Sequence, residues 1–202
     1  MYLYRDEAES LTEEMRQGLN KALYEASDKL LDFLHDTDWA MLIKLHAAIE
    51  ATVTEMILAH TNQGVLRSVI ERLPLSDNQT GKGRIAVELN LITSSQFSFL
   101  RKFSELRNNL VHRLENIDFD LKKYFEGLDK EQRRAWKKAI AWQERGMKQD
   151  VLADTLDQNP KLALFLSVFT MIMLMTVSEQ TSHALREIDS LSQRTMRQLM
   201  EK

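Results

Sequence analysis

Six glycines and two prolines are all that 202 residues contain. Glycine supplies positive φ and proline a fixed φ, so architectures with many tight turns draw on both repeatedly. A chain this poor in them makes long helices and few reversals. That excludes sandwiches, barrels and doubly wound sheets. Apolar residues at 44% and charged residues at 28% are ordinary for a globular chain and exclude wholesale disorder. The length suits one all-helical domain over 1–202.

The chain has no cysteine, which removes disulfides, thiolate zinc sites and thiol nucleophiles together. The acidic start MYLYRDEAES has no apolar stretch of the secretory kind. Both features give the expectation of a cytoplasmic protein. The run 162–177, LALFLSVFTMIMLMTV, is uncharged but holds only 16 residues. Crossing hydrocarbon takes ~20, so this segment reads as the central helix of a bundle or one shared with a second subunit, not as a membrane span.

Charge is unevenly placed. Residues 1–60 carry 5 Lys/Arg against 12 Asp/Glu, residues 61–148 carry 17 against 11, and residues 149–202 carry 5 against 7. A basic middle in an acidic chain is either a local site for an anion such as phosphate or a set of solvated helix faces.

The pattern along the chain is helical throughout. Ser10-Leu-Thr-Glu13 has the capping-box form, and leucines and Met15 follow it at helical spacing toward His35. A second helix is expected from Trp39 to about Asn62, with Gly64 near its end. Val65 to Leu73 is a short amphipathic piece stopped by Pro74, and residues 76–83, SDNQTGKG, form a polar loop. After Arg84 to Ile92, Thr93-Ser-Ser95 caps a helix from Gln96 to about Leu114. Another covers roughly Lys130 to Met147, and Asn159-Pro160 opens a last long helix, about 160–200.

Familiar catalytic patterns are missing. Gly81-Lys-Gly83 is followed by Arg84 and preceded by no strand, so it is not a P-loop. HExxH, GxSxG and carboxylate–histidine clusters with metal spacing do not occur, so no metal or other cofactor is expected. His46 and Glu50 share a helix face and read as a buried histidine satisfied by a carboxylate. Residues Lys130 to Lys148 interleave seven cations with Trp136 and Trp142. They form either a single-strand grip or an amphipathic helix with its tryptophans inward, and the second is preferred.

The sharpest signal lies in the Gln96 helix. Leu100, Phe103, Leu106 and Leu110 form an apolar stripe, with Arg107 and His112 beside it. Five positions on an ideal helix separate two side chains by ~140°, so one chain alone does not aim both at a single point. Two protomers packed around this helix would supply them from both sides.

The string LRNNLVH, residues 106–112, resembles the Arg-x(4–6)-His motif of the HEPN superfamily. The stretch from Gly81 to His112 is similar to the mannitol-repressor-like branch of those all-helical proteins. The likeness spans about 38–125. It implies an up-and-down HEPN-like helical bundle, here with additional long helices at both ends. It further implies a homodimer that cleaves RNA without metal, of the toxin or defence type and controlled by an antitoxin or regulatory protein. By that resemblance His112 exchanges the proton, Arg107 holds the scissile phosphate, Asn108 orients phosphate or imidazole, and Lys102 and Arg113 bind RNA. Imidazole and guanidinium suit these tasks. Leu114 stands where nucleotidyltransferase-controlled relatives carry a tyrosine, so control by that modification is not implied. The alternative implied by the same branch is a non-catalytic regulatory protein.

Overall fold

The computed structural model describes residues 4–112, 114–142 and 149–200, and the fold is all-α. The described helices are α1 (Arg5–Leu31), α2 (Asp38–Thr61), α3 (Arg67–Ile70), α4 (Lys82–Glu88), α5 (Ser94–Val111), α6 (Leu121–Glu126), α7 (Lys130–Ile140), α8 (Gln149–Gln158) and α9 (Pro160–Met200).

Helix α2 is the centre of the molecule. Met41, Leu42, Leu45, Ile49, Val53, Met56 and Ile57 are all buried, so it is covered on more than one side. Thr37 caps it, accepting from the Ala40 N–H at 3.3 Å, and Asn62 closes it in the left-handed region at φ 53°. Helix α9 packs parallel to it. Near one end of α2 the Lys161 ammonium donates to the Asp36 carbonyl at 2.6 Å, and near the other Arg186 donates to the carbonyl of Ala59. Helix α5 runs antiparallel to α2, since Trp39 meets Leu110 and His46 meets Ser104. One contiguous apolar core runs from Leu30 to Met175.

Helix α9 is long and apolar enough to cross a membrane by length and composition, with a mean hydropathy of 1.9 over its most apolar window. Half of that window is buried against the bundle. Met171 and Met175 are core residues, whereas Leu162, Leu166, Leu174 and Val177 remain uncovered.

Several expectations change. Ser10–Glu13 is not a helix start, because α1 already begins at Arg5 and these residues lie in its interior. The first helix ends at Leu31, and Asp32–His35 is a 3-10 turn. Helices α6 and α8 have no counterpart in the sequence reading. The helix expected to reach Met147 ends at Ile140, and residues 143–148, with Arg145 and Lys148, lie outside the described residues. Thr93 and Asn159 act as anticipated. Thr93 forms a capping box with Gln96, and the Asn159 side chain accepts from the Leu162 N–H at 3.1 Å.

Candidate functional site

Helix α5 buries Phe97, Phe99, Leu100, Phe103, Leu106 and Leu110 against the core, and one polar group goes in with them, Ser104. Its hydroxyl lies 3.0 Å from Nε2 of His46 on α2, and both side chains are buried. Nδ1 of the same imidazole is 3.8 Å from Glu50, one turn further along α2. The carboxylate favours a proton on Nδ1, which leaves Nε2 to accept from Ser104. The Glu50 carboxylate receives a hydrogen bond from Lys82 of α4 at 3.1 Å. Lys82 is 3% exposed, a deep position for an ammonium, and is tolerable only with a partner.

The loop before α4 delivers that lysine. Asp77 accepts from the backbone N–H groups of Gln79 and Thr80, and the N–H groups of Lys82 and Gly83 bond to the Pro74 and Leu75 carbonyls. A Cβ on Gly83 would sit 2.6 Å from the Phe97 ring, and one on Gly81 2.5 Å from the Asp77 carbonyl oxygen. Glycine is required at both places by close approach. The Gly-Lys-Gly string thus seats a buried cation rather than cradling a phosphate.

Arg107 adjoins this cluster from α5. Burial first, and then the Arg107 guanidinium, push the His46 imidazole down to about 4, with Glu50 pulling the other way and Lys82 adding to the fall. At neutral pH His46 is therefore uncharged. The Arg107 Nη1 donates to the side-chain oxygen of Asn108 at 3.0 Å, while its Nε is buried without a partner. Among the described residues no carboxylate pairs with Arg107. Lys82 is neutralised by Glu50 and His46 carries no charge, so Arg107 is the cluster's uncompensated cation.

His112 is placed quite differently. It is the exposed residue at the C-terminal end of α5, beyond Val111. The turn after it is held by Asn116, whose side-chain N–H group reaches the carbonyls of Asn109 (2.9 Å) and Leu110 (3.3 Å). No hydrogen bond or ion pair joins His112 to Arg107 among the described residues. The structure thus brings Arg107 and Asn108 together and leaves His112 apart.

Of the expected RNA-binding cations, Lys102 places its ammonium 5.5 Å from the centroid of the Trp136 ring, and Arg113 lies outside the described residues. Trp136 and Trp142 are buried, so neither ring is offered to a base. The inward reading of α7 is the correct one. His183 lies 2.7 Å from an Arg186 guanidinium nitrogen and 4.0 Å from Glu179. Sequence reasoning missed Ser104 and Lys82. For Lys82 the flanking glycines were a usable signal, whereas a serine inside an amphipathic helix carried none.

No family model, curated protein or solved structure matches the chain.

Proposed function

We propose that the chain is a metal-independent endoribonuclease acting as a homodimer, with Arg107 of one protomer facing the partner's His112 across a shared cleft. Arg107 carries the reading. It is half-buried, held by Asn108 and, among the described residues, without a carboxylate partner, so its charge is available to an anion. A planar guanidinium grips two phosphate oxygens and stabilises the charge that grows on them. His112 is exposed and free to exchange a proton with RNA. The bond formed joins the 2′-oxygen to phosphorus as the bond to the 5′-oxygen breaks. The imidazole takes the 2′ proton while water protonates the leaving oxygen, or it protonates the leaving oxygen while water takes the 2′ proton. Asn108 orients the guanidinium. The resemblance to HEPN proteins supplies this chemistry, and the two protomers resolve the divergence of the two side chains around α5.

A second reading, a regulatory protein that binds without cleaving, is favoured by one observation. The uncovered α9 residues Leu162, Leu166, Leu174 and Val177 form an apolar face of the kind that partners cover.

RNA incubated with the purified protein in EDTA separates the two. Cleavage in wild type, lost in His112→Ala and nearly as fully lost in Arg107→Lys as in Arg107→Ala, supports the ribonuclease. A point charge does not reproduce two parallel donors. RNA or partner binding without cleavage, with Arg107→Lys retaining it, supports the regulator.

A further inference from the structure

The α5 face that ends at His112 begins in a groove. Ser95, Ser98, Lys102, Glu105, Asn109 and His112 follow one another at three- and four-residue intervals, so they share one side of the helix. All are polar, none is buried, and Glu105 is the one carboxylate in the series. Arg107 projects from the other side, toward α2.

Where this face meets α7 the surface opens into a groove of about 630 Å³. Ser95, Ser98 and Lys102 of α5 line it together with Ala135, Lys138, Ala139 and Ala141. Among the described residues the lining holds two lysines and no carboxylate. Of the other α7 cations, Lys137 pairs with Asp157 and Arg133 donates to the Phe125 and Glu126 carbonyls, while Lys130 and Arg134 lie outside the groove lining. Lys138 is exposed and in no ion pair among the described residues, and Lys102 is held over the Trp136 ring rather than by an acid. The small alanines leave room between these two charges. The volume falls in the ~300–1,000 Å³ range of pockets that enclose a small organic molecule, the scale of one nucleotide and far below the width of a duplex.

We propose that this groove binds single-stranded RNA, with one backbone phosphate on Lys102, another on Lys138, and the strand running along the polar face of α5 toward His112. The charge of the lining, complementary to a polyanion, selects this occupant. With both tryptophans buried no stacking platform is available, so binding is indifferent to base sequence and strongly salt-dependent. The proposal rests on the ribonuclease reading for the reaction at the end of the track but not for the affinity of the groove.

The test uses full-length His112→Ala protein and a fluorescein-labelled single-stranded oligoribonucleotide of mixed sequence, followed by fluorescence anisotropy over a range of salt. Two further changes are compared in that background. Lys102→Gln with Lys138→Gln removes the charges, and Ala135→Trp fills the groove and keeps them. All three positions are at least partly exposed, so the fold tolerates them, and circular dichroism verifies this. The expected result is weaker binding in both. The slope of log affinity against log salt falls by about 1.4 in the double lysine variant alone, ~0.7 for each phosphate no longer neutralised. Unchanged binding in either variant, equal competition by a duplex, or no binding by the parent protein overturns the groove. Binding without cleavage in the wild-type protein counts against the ribonuclease only, whereas wild-type cleavage that survives the double lysine change counts against the groove only.

Discussion

Arg107 and His112 lie five residues apart on one helix and in opposite surroundings. Arg107 leans on a buried polar chain that links three helices: Lys82 of α4, Glu50 and His46 of α2, and Ser104 of α5. His112 sits at the free end of the helix, with its ring in solvent. The pitch of the helix causes this split, since a side chain ~140° round from one that faces the core must face away from it. The two residues are therefore separable. One is tied to the stability of the bundle, and the other belongs to whatever approaches the surface.

That separation can be broken most forcefully at Glu50. Glu50→Ala leaves the Lys82 ammonium buried with no partner, and the expected cost is about 3 kcal/mol of unfolding free energy. The figure sits at the low end of the range for buried pairs because Glu50 is 33% exposed. Urea denaturation measures it, and a loss below about 1 kcal/mol contradicts the buried pair.

A smaller effect follows from His46. Its folded value, about 4, lies below the ordinary 6.5. Between those two values the unfolded chain binds a proton at residue 46 that the folded chain does not. Stability is therefore fully present above pH 6.5 and is lost as the pH falls toward 4, by on the order of 2–3 kcal/mol. In His46→Gln that part of the pH slope disappears, whatever the substitution costs at pH 7. Equal slopes for both proteins contradict a neutral, buried His46.

At the surface end the expected effect is close to zero. His112→Ala should change stability by no more than about 0.5 kcal/mol, because an exposed side chain with no partner among the described residues has little to lose in the folded state. A larger loss in thermal unfolding would show that His112 is knit into the bundle after all.

What was legible in the sequence followed from locality. Thr93 with Gln96, and Asn159 with Pro160, are signals complete within four residues, and the structure uses both. Ser10 with Glu13 carries the same pattern and misleads, because a capping box tells where a helix can begin and not that it has not begun already. Helix α6 spans six residues, too few to show a period. The site was half legible. His46 and Glu50 share a face of one helix, so their pairing is written in their spacing. Ser104 and Lys82 lie 58 and 32 residues from the groups they bond, and only the antiparallel packing of α2 and α5, and the tight loop before α4, bring them there.

In the proposed reaction Arg107 of one protomer works with the partner's His112. Arg107→Ala and His112→Ala chains co-expressed with different affinity tags give a heterodimer in which one cleft holds both functional groups and the other holds neither. Each homodimeric variant is expected to be inactive on RNA in EDTA, and the purified heterodimer is expected to regain cleavage, about half that of the wild-type dimer, since one of two clefts is whole. A heterodimer as inactive as its two parents would contradict the account.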